Sequence, residues 1–138
     1  NVKTYELLLG EKTQKDAVFY EKKIPSGLNS VIKIDGKGSF ISKKINQLTL
    51  DDFCKRFNLR PDLIKVDIEG MEYNVLKGGV KIIKECKPLI YLSYHRKYLE
   101  RIGIKKEDFF KLLNSINYYS NINLNEFANT EVILKSKK

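Results

Sequence analysis

The sequence predicts one α/β domain over residues 1–138, with a parallel β-α-β unit in the middle and an antiparallel strand pair at the end. Three observations carry this reading. "LIKV" (63–66) and "PLIYLSY" (88–94) are short apolar runs of strand length, and between them Met71, Val75, Leu76, Gly79, Ile82 and Ile83 recur at a helical period to about Glu85. A helix between two such strands is the crossover that parallel neighbours require. Beyond residue 116, "YYSNINL" (118–124) and "TEVILKS" (130–136) are β-rich and separated by few residues, as antiparallel partners are. At 138 residues folding buries roughly two thirds of the unfolded chain's surface, enough for a single core.

The elements follow in order. Residues 1–9, "NVKTYELLL", alternate and then end in an apolar triplet closed by Gly10, which predicts a strand. "AVFYEKKI" (17–24) and "SVIKI" (30–34) are β-like runs around the turn-rich "PSGLN". "DGKG" (35–38) leads into "SFISKKI", so the stretch to about residue 45 is expected to be a hairpin region. Thr49 followed by Asp52 is a capping signature, and Leu50, Phe53, Cys54 and Phe57 give one apolar helix face ending near Asn58. A later helix is expected from about Lys105 to Ile116. Glu107 and Asp108 lie in its first turn, where the dipole favours acids, and Phe109, Leu112, Leu113 and Ile116 form its buried side.

Composition limits the function classes. A net charge of +9 invites a polyanion partner, since clustered cations gain affinity by releasing counterions from phosphate. Lysine outnumbers arginine 22 to 4, however, and no lysine run exceeds two residues. Base and phosphate recognition favours the planar guanidinium, so a solvated lysine surface is expected and a nucleic-acid-binding domain is the third-ranked reading. Cys54 and Cys86 lack metal-ligand spacing and sit in apolar helical patterns, which predicts reduced thiols. No apolar run has the length of a membrane span and no secretory leader is recognisable, so a cytoplasmic protein is expected.

The stretch "LIKVDIEGMEYNVLKGG" (63–79) changes from strand to helix across Asp67, Glu69 and Gly70. In open α/β sheets ligands bind beyond the carboxyl ends of the strands, where loops lead into helices. Asp67 and Glu69, two residues apart, could both project near such a site, and Gly70 permits a backbone that a β-carbon would hinder. The structural alternative is that Asp67 or Glu69 caps the following helix, and that Glu69 and Glu72 are ordinary first-turn acids. Both readings stay open on the residues alone.

Residues 45–95 resemble the central segment of the FkbM-type methyltransferase family. The resemblance is carried by Leu50-Asp51, by the run Lys65 to Gly70, by Glu72, by Leu76-Lys77-Gly78, by Lys87-Pro88 before the next strand, and by His95 after it. It implies a doubly wound, Rossmann-like class I methyltransferase sheet that binds S-adenosylmethionine and transfers a methyl group to a hydroxyl of a small molecule or sugar. It places Asp67 and Glu69 at the end of the fourth strand and His95 at the end of the fifth as catalytic candidates, with Glu72 and Tyr94 beside the substrate. No resident metal is implied, although a divalent ion at Asp67 stays open. As the only histidine, His95 is a candidate base, because imidazole titrates near neutrality; a satisfied structural histidine is the alternative.

Two departures from the family pattern matter. Ser93 stands where the family usually carries an acid two places before the histidine. The glycine-rich turn after the first strand and the acidic end of the second have no counterpart, so the fold is expected to be incomplete, with Asn1 at about the third strand and the cofactor-holding residues upstream of it. In the family's fold the third strand reaches the fourth only through the second and first, so residues 1–9 are expected to lack neighbours. Upstream residues or a partner chain, in a homo-oligomer or otherwise, are expected to supply the missing strands. A non-catalytic subunit acting through such a partner is the second-ranked reading.

Overall fold

The computed structural model describes residues 1–22, 40–123, 126 and 130–137. Their strands form two sheets. In the smaller, β2 (Gln14–Lys22) runs antiparallel to β3 (Phe40–Leu48), and β1 (Leu8–Leu9) pairs parallel with the far end of β3, Leu8 opposite Gln47 and Leu9 opposite Leu48. Residues on either side of the expected hairpin region pair antiparallel, and β2 starts at Gln14, ahead of the predicted Ala17. "PSGLN", "SVIKI" and "DGKG" lie outside the described residues. The strand expected over residues 1–9 shrinks to two residues, and it does find a neighbour. That neighbour is β3, whose outer edge β2 leaves free; no pairing with residues 63–66 occurs.

The larger sheet has the order β4 (Leu63–Val66), β5 (Leu89–Tyr94), β7 (Thr130–Ser136), β6 (Tyr118–Ser120). β4 and β5 are parallel, Leu63 opposite Leu89 and Val66 opposite Leu92, as the crossover argument requires. β7 runs antiparallel to both β5 and β6, so the C-terminal pair forms, its first strand ending at Ser120 and not at residue 124, and it also joins the central sheet. Four-stranded mixed sheet and flanking helices make this an α/β fold.

Between β3 and β4 lies α1 (Leu50–Phe57). Thr49 Oγ accepts the Asp52 N–H at 2.9 Å, and Asn58 ends the helix in the left-handed conformation. The single helix expected over 71–85 is instead two, α2 (Glu72–Lys77) and α3 (Val80–Cys86). Their junction is Gly78-Gly79, against which the loop after β1 packs so closely that a β-carbon on Gly78 would lie 2.1 Å from the Gly10 carbonyl oxygen. A new helix start needs new acceptors for its N–H groups. Asp51 supplies them: its carboxylate accepts from Ile82 N–H at 2.8 Å and Lys81 N–H at 3.3 Å, while its own N–H donates to the Gly78 carbonyl at 3.0 Å.

After β5 comes α4 (Arg96–Arg101), which the periodicity did not signal because Leu99 is its one buried side chain. α5 (Lys106–Ser115) occupies its expected span and buries Phe109, Leu112 and Leu113, with Ile116 beyond its end also buried. The core lies between these helices and one face of the larger sheet, where Val66, Ile90, Leu92, Tyr94, Val132 and Leu134 point inward. The opposite face carries Leu63 at 61% exposure and Tyr91 at 36%. Among the described residues the helices therefore cover one side of the sheet only. Among the described residues the larger sheet ends at β4, whose outer edge has no strand beside it.

Candidate active site

β4 ends at Val66 and the chain turns sharply before α2. Glu69 has φ 52° and Gly70 φ 102°, two consecutive residues in the left-handed region. Glycine takes that conformation freely, whereas a glutamate there costs about 1–2 kcal/mol. The turn brings the Glu69 side chain towards the end of β5. There His95, the residue after Tyr94, presents Nε2 at 3.8 Å from a Glu69 carboxylate oxygen and 3.9 Å from one of Asp67. Asp67 in turn accepts a 3.1 Å hydrogen bond from Lys65 Nζ on β4.

The capping alternative for Asp67 is not what the fold adopts. α2 has Met71 at its N-cap with no side-chain cap bond, and Asp67 and Glu69 both line a cleft of about 360 Å³. The cleft runs between Leu7–Leu9 of the β1 segment and Ile64–Val66 of β4, with Phe19 and Met71 adding to its apolar walls. Its position at the carboxyl end of a parallel strand is where doubly wound sheets bind ligands.

Behind the cluster stands Glu72. Its carboxylate lies 2.6 Å from His95 Nδ1 and accepts the Gly70 N–H at 3.0 Å. An ionised Glu72 can only accept, which assigns a proton to Nδ1 and turns Nε2 towards Asp67 and Glu69. Burial is the largest single influence on His95 and lowers its pKa. The hydrogen bond and charge of Glu72, with the charges of Glu69 and Asp67, outweigh it, and the net direction is upward. The second Glu72 oxygen is buried with no hydrogen-bond partner among the described residues.

The structure buries Glu72 and Tyr94, the two residues that the resemblance places beside the substrate. Glu72 is 0% exposed and its carboxylate meets the His95 ring, while Tyr94 is 1% exposed and packs edge-on against Phe109 at 5.2 Å. The reason is directional: the first residue of α2 and the last of β5 both face the core under the helices. Burial pushes the Tyr94 phenol up to about 12. Ser93, on the opposite face of β5, donates from its hydroxyl to both Glu131 oxygens at 2.9 and 3.0 Å. Glu131 was not singled out from the sequence. The signal that finds it is the β5–β7 register, in which Ser93 and Glu131 are directly opposite.

Asp67, Glu69 and His95 each offer one ligand atom, and the three atoms lie within 4.8 Å of one another. They thus suit either a proton transfer or the binding of a cation. Family comparison decides the class of chemistry: residues 1–133 match the model of the methyltransferase FkbM domain. The chain belongs to this family. Searches among curated proteins and among solved structures give no significant match. For an FkbM domain, the cluster at the ends of β4 and β5 falls within the matched residues, as does the Leu50-Asp51 pair. That pair is structural here: Leu50 is in the core and Asp51 starts α3. No helix among the described residues is long and apolar enough to cross a membrane.

Proposed function

We propose that the complete gene product is an S-adenosylmethionine-dependent O-methyltransferase acting on a hydroxyl of a small molecule or sugar, and that the described sheet is the carboxyl-terminal part of a Rossmann-like fold. The observation that supports this most is the convergence of Asp67, Glu69 and His95 at the carboxyl ends of adjacent parallel strands in an FkbM domain. S-adenosylmethionine, when bound, supplies a methyl group on a positively charged sulfur. The cleft suits part of such a molecule: its walls are apolar, and Asp67 and Glu69 at the rim are opposite in charge to a sulfonium. No glycine-rich strand-to-helix turn exists among the described residues to take the remainder. Further strands laid along the free edge of β4, from the same polypeptide or a partner chain, would complete both sheet and pocket.

The residues of this chain then do two things. They hold the acceptor hydroxyl at the mouth of the cleft, and they take its proton at His95 Nε2, which Glu72 keeps in the right tautomer and orientation. Asp67 and Glu69 stabilise the imidazolium so formed. A base contributes about 10²–10⁴-fold, whereas oriented reactants supply effective molarities of roughly 10⁵–10⁸ M. Positioning by the completed pocket therefore dominates. The test is to incubate the complete gene product with methyl-labelled S-adenosylmethionine and hydroxylated acceptors. The proposal predicts label in a base-stable ether and a loss of at least about 10²-fold in His95→Gln. Label confined to base-labile esters, or a rate unchanged in His95→Gln, would overturn it.

A further inference from the structure

The geometry points to a divalent-cation site formed by Asp67, Glu69 and His95 Nε2, with Glu72 fixing the imidazole from behind. This deepens the methyl-transfer reading and rests on the same cluster. A neutral imidazole lone pair and two carboxylates are all acceptors, yet they converge within 4.8 Å. Such a convergence is repulsive until a proton or a cation sits among them. A hard cation bound at about 2.1 Å separates neighbouring ligand atoms by about 3.0 Å and opposed ones by about 4.2 Å. The two separations from His95 Nε2, 3.8 and 3.9 Å, fall between these limits, and all three atoms lie within 4.8 Å of one another, so the carboxylates must draw together to close the set onto one ion.

Independent support comes from Glu72. It is wholly buried, one oxygen bonds to His95 Nδ1, and the other lacks any partner among the described residues. A buried carboxylate on the far nitrogen of a histidine is the arrangement that orients and strengthens imidazole as a metal ligand, and its loss typically weakens binding 10–100-fold. The charge is also suitable. Three carboxylates, those of Asp67, Glu69 and Glu72, lie around this one imidazole. Two carboxylates and a single imidazole, with both cysteines elsewhere on α1 and α3, favour a borderline-hard ion such as Mn²⁺ over thiophilic metals. Three protein donors leave coordination positions open for oxygen ligands, which matches a hydroxylated acceptor. With the ion bound, Nε2 of His95 is a ligand and no longer the base; the cation would lower the pKa of the acceptor oxygen it holds, and that proton would leave to solvent.

The test uses the complete gene product with Mn²⁺ as probe. Electron paramagnetic resonance should show one saturable Mn²⁺ per chain, and pulsed measurement should show nitrogen modulation from a bound imidazole. Asp67→Asn with Glu69→Gln should abolish saturable binding, His95→Gln should remove the nitrogen signal, and Glu72→Gln should weaken binding about 10–100-fold. No saturable binding by the unaltered protein, or binding unchanged in the double variant, overturns the site. S-adenosylmethionine binding is measured in parallel. Cofactor binding without Mn²⁺ sinks the cation site and leaves methyl transfer standing; Mn²⁺ without cofactor does the reverse.

Discussion

Replacing Glu72 with Gln separates charge from shape at the site. The variant side chain keeps its volume and an oxygen able to accept from His95 Nδ1 and Gly70 N–H, now 2.6 and 3.0 Å away, but loses its negative charge. A hydrogen bond to a charged group is worth about 1.5–3 kcal/mol and a neutral one about 0.5–1.5 kcal/mol, so about 1 kcal/mol is forfeited. Relief from burying a carboxylate with one oxygen unpartnered offsets this. Stability near pH 8 should therefore change by less than about 1 kcal/mol. The titration of His95 should move clearly. Burial lowers its pKa, and the bond and charge of Glu72 are the leading influences that raise it above 6.5. With Glu72 neutral, His95 should titrate lower. In the native protein this linkage adds stability that is fully present below pH 6.5 and is lost as pH rises through the raised folded value; the variant should lose that dependence. Proton resonances of the ring report the titration, and His95→Gln assigns them. A Glu72→Gln protein in which His95 titrates at or above the native value would refute the reasoning.

Other perturbations test the frame that holds the site. Gly78→Ala places a β-carbon 2.1 Å from the Gly10 carbonyl oxygen and should cost about 1–3 kcal/mol in urea unfolding; a cost near zero would show that the β1 loop is not packed there. Asp51→Ala removes both side-chain acceptors at the start of α3 and should cost about 0.5–2 kcal/mol, an effect that Asp51→Asn should largely spare. Burial pushes the phenols of Tyr94 and Tyr118 up to about 12. Both stay neutral in the native protein while the unfolded chain ionises near pH 10, so stability should fall between pH 10 and 12. Tyr118→Phe, which loses the bond to the Pro88 carbonyl at 2.7 Å, should flatten that fall.

How much of this was legible in the sequence depended on whether a residue's partner is local. The helix face of α5, the Thr49 cap and the parallel strands β4 and β5 are encoded by period and by adjacent residues, and the sequence showed them. The break between α2 and α3 was not visible, because Gly78-Gly79 fits a helical pattern until the Gly10 backbone arrives from 68 residues away. α4 buries too little to leave a period. At the site, the place of Asp67 and Glu69 followed from the strand-to-helix change alone. The inward turn of Glu72 onto His95, and the contact of Ser93 with Glu131, depend on pairing across 23 and 38 residues, which one sequence does not display.

The most direct test of the central claim is isothermal titration of the complete gene product with S-adenosylmethionine and with its demethylated product. The account predicts saturable binding of both ligands, one per chain. Absence of detectable binding to properly folded protein would contradict it.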